Sequence, residues 1–185
     1  MSSWDLLRWY GLAAIVGGVV YMVQGIVSLF VRQEVPFTSF SDYLIEILYI
    51  LGLAGTLAGI GGLHRLLRER YGWFGAASSV VAFVGFGLLF VASVGVALTG
   101  RGVLPRFFIV GFLTALVGAA LLGAAILRRL VLSFWYGVLF IVGNLVGLAA
   151  IQIGGAILLG VVWGVVGYAL VSNREPADQQ PARVS

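Results

Sequence analysis

Charged residues punctuate this chain at long intervals, and the stretches between them are apolar over lengths that suit a membrane. The pattern predicts helices over about 9–31, 43–63, 73–98 and 107–127, with polar or charged residues between them. From Leu130 to Val171 there follow forty-two residues without one charged side chain. At ~1.5 Å per residue such a helix would reach roughly 60 Å, about twice a ~30 Å hydrocarbon core, so the run must turn back once. Placing the turn near 149–155, where Gly154 and Gly155 fall, gives helices over about 131–149 and 153–171. The expectation is an all-α fold: a polytopic integral membrane protein with a six-transmembrane-helix bundle over residues 1–171. Residues 172–185 are polar and interrupted by Pro176 and Pro181, and are expected to be a disordered cytoplasmic tail.

Local signals sharpen some boundaries. Ser2 and Ser3 precede Asp5 with the spacing of a helix start, and Pro36 followed by Ser39, Ser41 and Asp42 marks the entry to the second helix. The first apolar stretch is longer than a signal-peptide core and ends in Ser28-Leu29-Phe30-Val31, which lacks the small-residue pattern of a cleavage site. It is expected to remain as a span.

Arginine gives the orientation. Arg8, Arg65, Arg68, Arg70, Arg128, Arg129, Arg174 and Arg183 fall on one side of a six-span layout, against Arg32, Arg101 and Arg106 on the other. Cytoplasmic loops carry the excess of basic residues, so both termini are expected in the cytoplasm of a multi-pass protein in the inner membrane. Trp9, Trp73 and Trp135 then sit at the inner interface, and Phe37, Phe40, Tyr43, Phe107 and Phe108 at the outer one, as an aromatic belt.

Composition removes whole classes of chemistry. Hydrophobic residues make up 61% of the 185, the mean hydropathy is +1.10, and little length remains for a soluble domain. All eleven basic residues are Arg, which excludes Schiff-base chemistry at lysine and fits the codon usage of a GC-rich bacterial genome. There is no Cys, and the one His, His64, lies among arginines. Thiolate metal sites and bis-His haem ligation within one chain are therefore closed off, and no metal or cofactor is expected. The net charge of +4 reports topology here, not a nucleic-acid partner.

Lipid is as apolar as leucine, so helices in a bilayer associate through close backbone contact at small residues four apart. Gly55 and Gly59, Gly143 and Gly147, and Gly160 and Gly164 have that spacing, and all are expected to face neighbouring helices.

Amide and carboxyl side chains are costly at membrane depth unless partnered, which makes them the best pointers to function. Gln24, Glu46, Ser93, Asn144 and Gln152 all fall in the outer half, whereas the inner half offers mainly Ser78, Ser79 and Ser133, hydroxyls able to bond their own helix. Ala14, Gly17, Tyr21 and Gln24 follow one helical stripe, and Glu46, Tyr49, Thr56 and Gly59 share less than half of the next helix's circumference. On these faces Gln24, Glu46, Tyr49 and Asn144 are expected to converge on a polar cavity opening to the outer side between helices 1, 2 and 5. The competing reading has Glu46 near the interface, paired with Arg32, Arg101 or Arg106, while the amides hold helices together.

No nucleophile–base pair, HExxH or GxSxG motif is present, so an enzyme is not expected. The sequence favours a small lipophile-binding or accessory, scaffolding subunit of a membrane complex. Its partners would be the bilayer, a bound lipid or hydrophobic small molecule, and a membrane protein or second copy. The alternative is a small transporter using the same outward-opening cavity.

Overall fold

The computed structural model describes residues 3–31, 33–34, 36–102, 105–129 and 134–172. Among these the chain is helical throughout: α1 (Ser3–Phe30), α2 (Phe40–Thr99), α3 (Pro105–Arg129), α4 (Phe134–Ala149), a short 3-10 helix (Ile151–Ile153) and α5 (Gly155–Ser172). Five stretches are long and apolar enough to cross a membrane, namely Asp5–Phe30, Phe40–Leu66, Gly72–Thr99, Pro105–Arg128 and Gly155–Ser172. The protein is a helical membrane bundle. The remaining helix, α4, has 16 residues and so a length of ~24 Å, short of a ~30 Å core on its own.

The second and third predicted spans are two helices joined directly, with no loop between them. Residues 64–71 carry the charges that suggest a loop, yet Arg, Leu and Glu are good helix formers, and a helix that has left the hydrocarbon is free to continue. The break falls on one residue, Gly72, at φ 60 and ψ −162, a conformation open to glycine. Glu46 and Ser93 line the same cavity, so the chain folds back at Gly72 and α2 forms two arms, Phe40–Leu66 and Gly72–Thr99. α1 begins earlier than hydropathy places it, because Asp5 and Arg8 join the helix ahead of the apolar run. The predicted tail from 173 onward, Ser133 and Arg32 lie outside the described residues, as does the side chain of Gln152.

Neighbouring helices run antiparallel and approach at small residues. A Cβ on Gly17 would lie 2.6 Å from the Gly55 Cα, and one on Gly18 would lie 2.8 Å from the Gly164 nitrogen, so the first arm of α2 and α5 flank α1 at backbone contact. Gly118 meets Ala82 in the same way where α3 packs on the second arm of α2. Gly55, Gly59, Gly143, Gly147 and Gly160 each face a neighbour. Gly164 departs from expectation: although its backbone touches α1, its own Cβ direction is open, with nothing within 4 Å. Ridge spacing alone does not tell which member of a pair points into the contact.

In the bundle's middle, Trp163 of α5 is fully buried and meets Phe86 and Phe140 edge-on at ring centroid distances of 6.1 and 5.4 Å. The outer faces carry exposed aliphatic residues such as Val16, Val19, Val80, Leu113 and Val142, a surface for lipid tails and unsuited to water. Trp9, Trp73 and Trp135 project from the end where α1 begins and α5 ends. At that end the Ser78 and Ser79 hydroxyls donate to the carbonyls of Phe74 and Gly75 four residues back, at 2.7 and 2.9 Å. They are spent on their own helix.

Candidate functional site

The opposite end of the bundle, where α1 ends and both α2 arms and α3 meet, holds a cavity of about 860 Å³. Its position follows from the helix faces. Tyr21 and Gln24 on α1, and Glu46 and Tyr49 on α2, occupy the inward stripes shared with Ala14, Gly17, Thr56 and Gly59, and all are buried. Gln24, Glu46 and Tyr49 therefore face one space, as does Ser93 from the second arm of α2. Ser28, Leu29 and Phe30 of α1 and Phe108 and Ile109 of α3 add walls, and Ile151 and Ile153 close the side toward α5.

Asn144 is not among the lining residues, which corrects the expected four-residue convergence. α4 packs against α3 and α5 and not against α1 or the first arm of α2, so its polar face is turned into a different seam. There the fully buried Asn144 donates from Nδ2 to the Phe140 carbonyl at 2.7 Å, within its own helix. The place expected for α4 in the cavity wall is taken by the second arm of α2 and the start of α3. Phe108 also departs from the interfacial belt, since it lines the cavity.

Glu46 is 8% exposed and accepts a hydrogen bond from Gln33 Nε2 at 3.0 Å. Gln33 stands on the connection after α1 and donates from the same nitrogen to the Asp42 carbonyl at 3.3 Å. Asp42 anchors this connection. Its carboxylate accepts from the Glu34 N–H at 3.1 Å, from the Thr38 and Ser39 N–H groups at 2.9 Å each, and from the Ser39 hydroxyl at 2.8 Å. Four donors on one carboxylate tie the connection to the first turn of α2, with Ser39 as the N-cap. The Phe37 N–H donates to the Gly100 carbonyl at 2.8 Å, and the Phe37 ring meets Tyr43 edge-on, which secures the connection to the end of the second arm as well. Gln33 is thereby held over Glu46.

Neither Arg101 nor Arg106 pairs with Glu46; both are exposed, and its neighbours among the described residues are Gln33 and Ser93. Buried polar groups gather around the cavity. Ser93 of the lining stands beside the Glu46 carboxylate and interacts with it, and beneath the lining the Tyr21 hydroxyl meets Thr56, where Tyr21 and Tyr49 rings sit 6.0 Å apart. Gln24 Oε1, buried in the lining, has no partner among the described residues, and since an unmatched buried acceptor costs about 1–3 kcal/mol, it marks a place built to receive a hydrogen bond from something that enters.

Sequence reasoning did not single out Gln33 or the anchoring role of Asp42. Gln33 lies outside every apolar span, and helical periodicity carries no information about a loop that folds back over the bundle. The one signal was the density of cap residues at Ser39, Ser41 and Asp42, which a loop clamped to its helix needs.

No protein-family model matches the chain, and comparison with curated proteins and with solved structures finds no similar one.

Proposed function

We propose that this is a non-enzymatic membrane protein that binds a small membrane-partitioning molecule in the cavity between α1, the two arms of α2 and α3. One observation carries the reading: a cavity of about 860 Å³ with mostly apolar walls and a few convergent polar groups, Glu46, Gln24, Gln33 and Ser93. Sites for organic ligands occupy roughly 300–1,000 Å³ and have this character. The polar set supplies one carboxylate with amides and hydroxyls, which suits recognition better than bond breaking. Beneath Tyr49 the core is filled by Leu53, Ile60, Phe86 and Trp163, which favours a binding or accessory role over a through-going transport path.

Mass spectrometry of the protein purified in mild detergent should find a copurifying lipophile. Ala92→Phe, which narrows the cavity, should lose it, and Leu113→Phe on the lipid-facing surface should keep it. Retention of the same molecule by both variants would remove the cavity from the reading.

The excess of arginine at the end holding the termini supports a cytoplasmic location for both of them, and then the cavity opens on the outer side. Reporter fusions after Ser185 and at Gly102 should land on opposite sides of the membrane. Finding both on one side would reject this orientation.

A further inference from the structure

We propose that the cavity selects its occupant by a positively charged ammonium head, held by Glu46 and by the unpartnered acceptor Gln24 Oε1, with Ser93 beside the carboxylate. The inference rests on the binding reading above and names the class of ligand.

Glu46 is the one acidic side chain of the lining, and no basic side chain lines it among the described residues. An ionised carboxylate offers about four lone-pair positions, and Gln33 Nε2 fills one of those on Glu46. Gln24 Oε1, on a residue 4% exposed, lines the same space with no partner among the described residues, and Ser93 stands beside the Glu46 carboxylate. A carboxylate in so apolar a place is stable only against positive charge or several donors, and among the described residues no basic side chain pairs with it. An ammonium meets both needs at once, since it brings up to three N–H donors and a full charge.

The size of the space decides between an ion and an organic cation. A water molecule's share of liquid volume is ~30 Å³, so a cavity of about 860 Å³ is far larger than one ion requires. Among the described residues no cluster of three His, Cys, Asp or Glu side chains stands ready for a metal. Tyr49 and Phe108 place aromatic rings in the lining, surfaces that attract an organic cation. Leu29, Phe30, Ile109, Ile151 and Ile153 supply apolar wall for the rest of the molecule. The ligand class is thus an amphiphile with an ammonium head and an apolar body. An ethanolamine lipid and a free lipophilic amine share that chemistry.

The test uses the full chain, delipidated in an uncharged maltoside detergent, and two probes with the same tail, dodecylammonium and dodecanol. Dodecylammonium should bind about tenfold or more tightly than dodecanol, the ratio that a charge-assisted hydrogen bond supports. Glu46→Gln, which keeps volume and loses charge, should abolish that preference and leave dodecanol binding unchanged. Ser93→Ala, a smaller change that spares the fold, should change the preference about threefold by removing the hydroxyl beside the Glu46 carboxylate. Competition by phosphatidylethanolamine but not phosphatidylglycerol would assign the head to a lipid, and dodecylammonium binding without such competition would assign it to a free amine. Equal binding of the two probes by the native protein, or a preference that survives Glu46→Gln, would overturn the ammonium proposal and leave the cavity a binding site. If neither probe binds and nothing copurifies, the binding reading falls with it.

Discussion

Gly160→Ala should lower the melting temperature of the detergent-solubilised protein by roughly 2–12 °C, taking about 1–3 kcal/mol for overpacking and ~2–4 °C per kcal/mol in a chain of this size. Gly164→Ala, one turn further along α5, should change it by less than about 2 °C. The two glycines form one small-xxx-small pair, and pattern alone assigns them the same role. Geometry separates them. A methyl on Gly160 would be driven into the Gly18 carbonyl oxygen and would lie 2.9 Å from the Met22 nitrogen, backbone atoms that yield only if α1 moves away. A methyl on Gly164 meets nothing within 4 Å. Because α1 also contacts the first arm of α2 through Gly17 and Gly55, a shift of α1 cannot relieve one contact without opening the other. Circular dichroism melts of both variants in the same detergent decide the matter, and equal losses would mean that the α1–α5 contact is not made as described.

The pair also shows where sequence stopped being informative. Periodicity gave the inward stripes of α1 and α2 correctly, because a residue's angular position on a helix depends on its number alone; Ala14, Tyr21 and Gln24, and Glu46, Tyr49 and Thr56, are all buried. Depth was legible too, since polar residues can be counted from the span ends, and Gln24, Glu46 and Ser93 do lie at one end of the bundle. What hydropathy lacks is the order of helices around the ring. Asn144 was placed at the right depth and on a buried face, yet α4 stands against α3 and α5, and the residue turns into that seam. Gly72 illustrates a second limit. Charges in 64–71 mark where the chain leaves the apolar layer, not where helical hydrogen bonding ends, so the helix ran on to the one residue able to reverse it. Gln33 illustrates a third: a polar residue outside the spans gave no sign that Asp42 would clamp its segment over Glu46.

Trp163→Ala should be the most damaging single truncation in the bundle, with a melting temperature lower by roughly 10 °C or more on a loss of about 3–5 kcal/mol. Tryptophan in membrane proteins gathers at the two interfaces, as Trp9, Trp73 and Trp135 do at the terminal end of this one. Trp163 breaks that rule: it falls mid-way along α5, within an uncharged apolar run. In place it is fully buried, meets Phe86 of the second arm of α2 and Phe140 of α4 edge-on, and fills the space that Gly59 of the first arm leaves open. One side chain thus touches three helical segments besides its own. Alanine would leave a void bounded by Phe86, Phe140 and Gly59, and close packing around it allows only partial collapse. Trp163→Phe should recover about half of the loss by restoring an aromatic ring against both partners. The indole nitrogen has no hydrogen-bond partner among the described residues, so phenylalanine should forfeit packing volume and no polar contact. A melting temperature within about 3 °C of the native value for Trp163→Ala would show that the bundle does not depend on this contact.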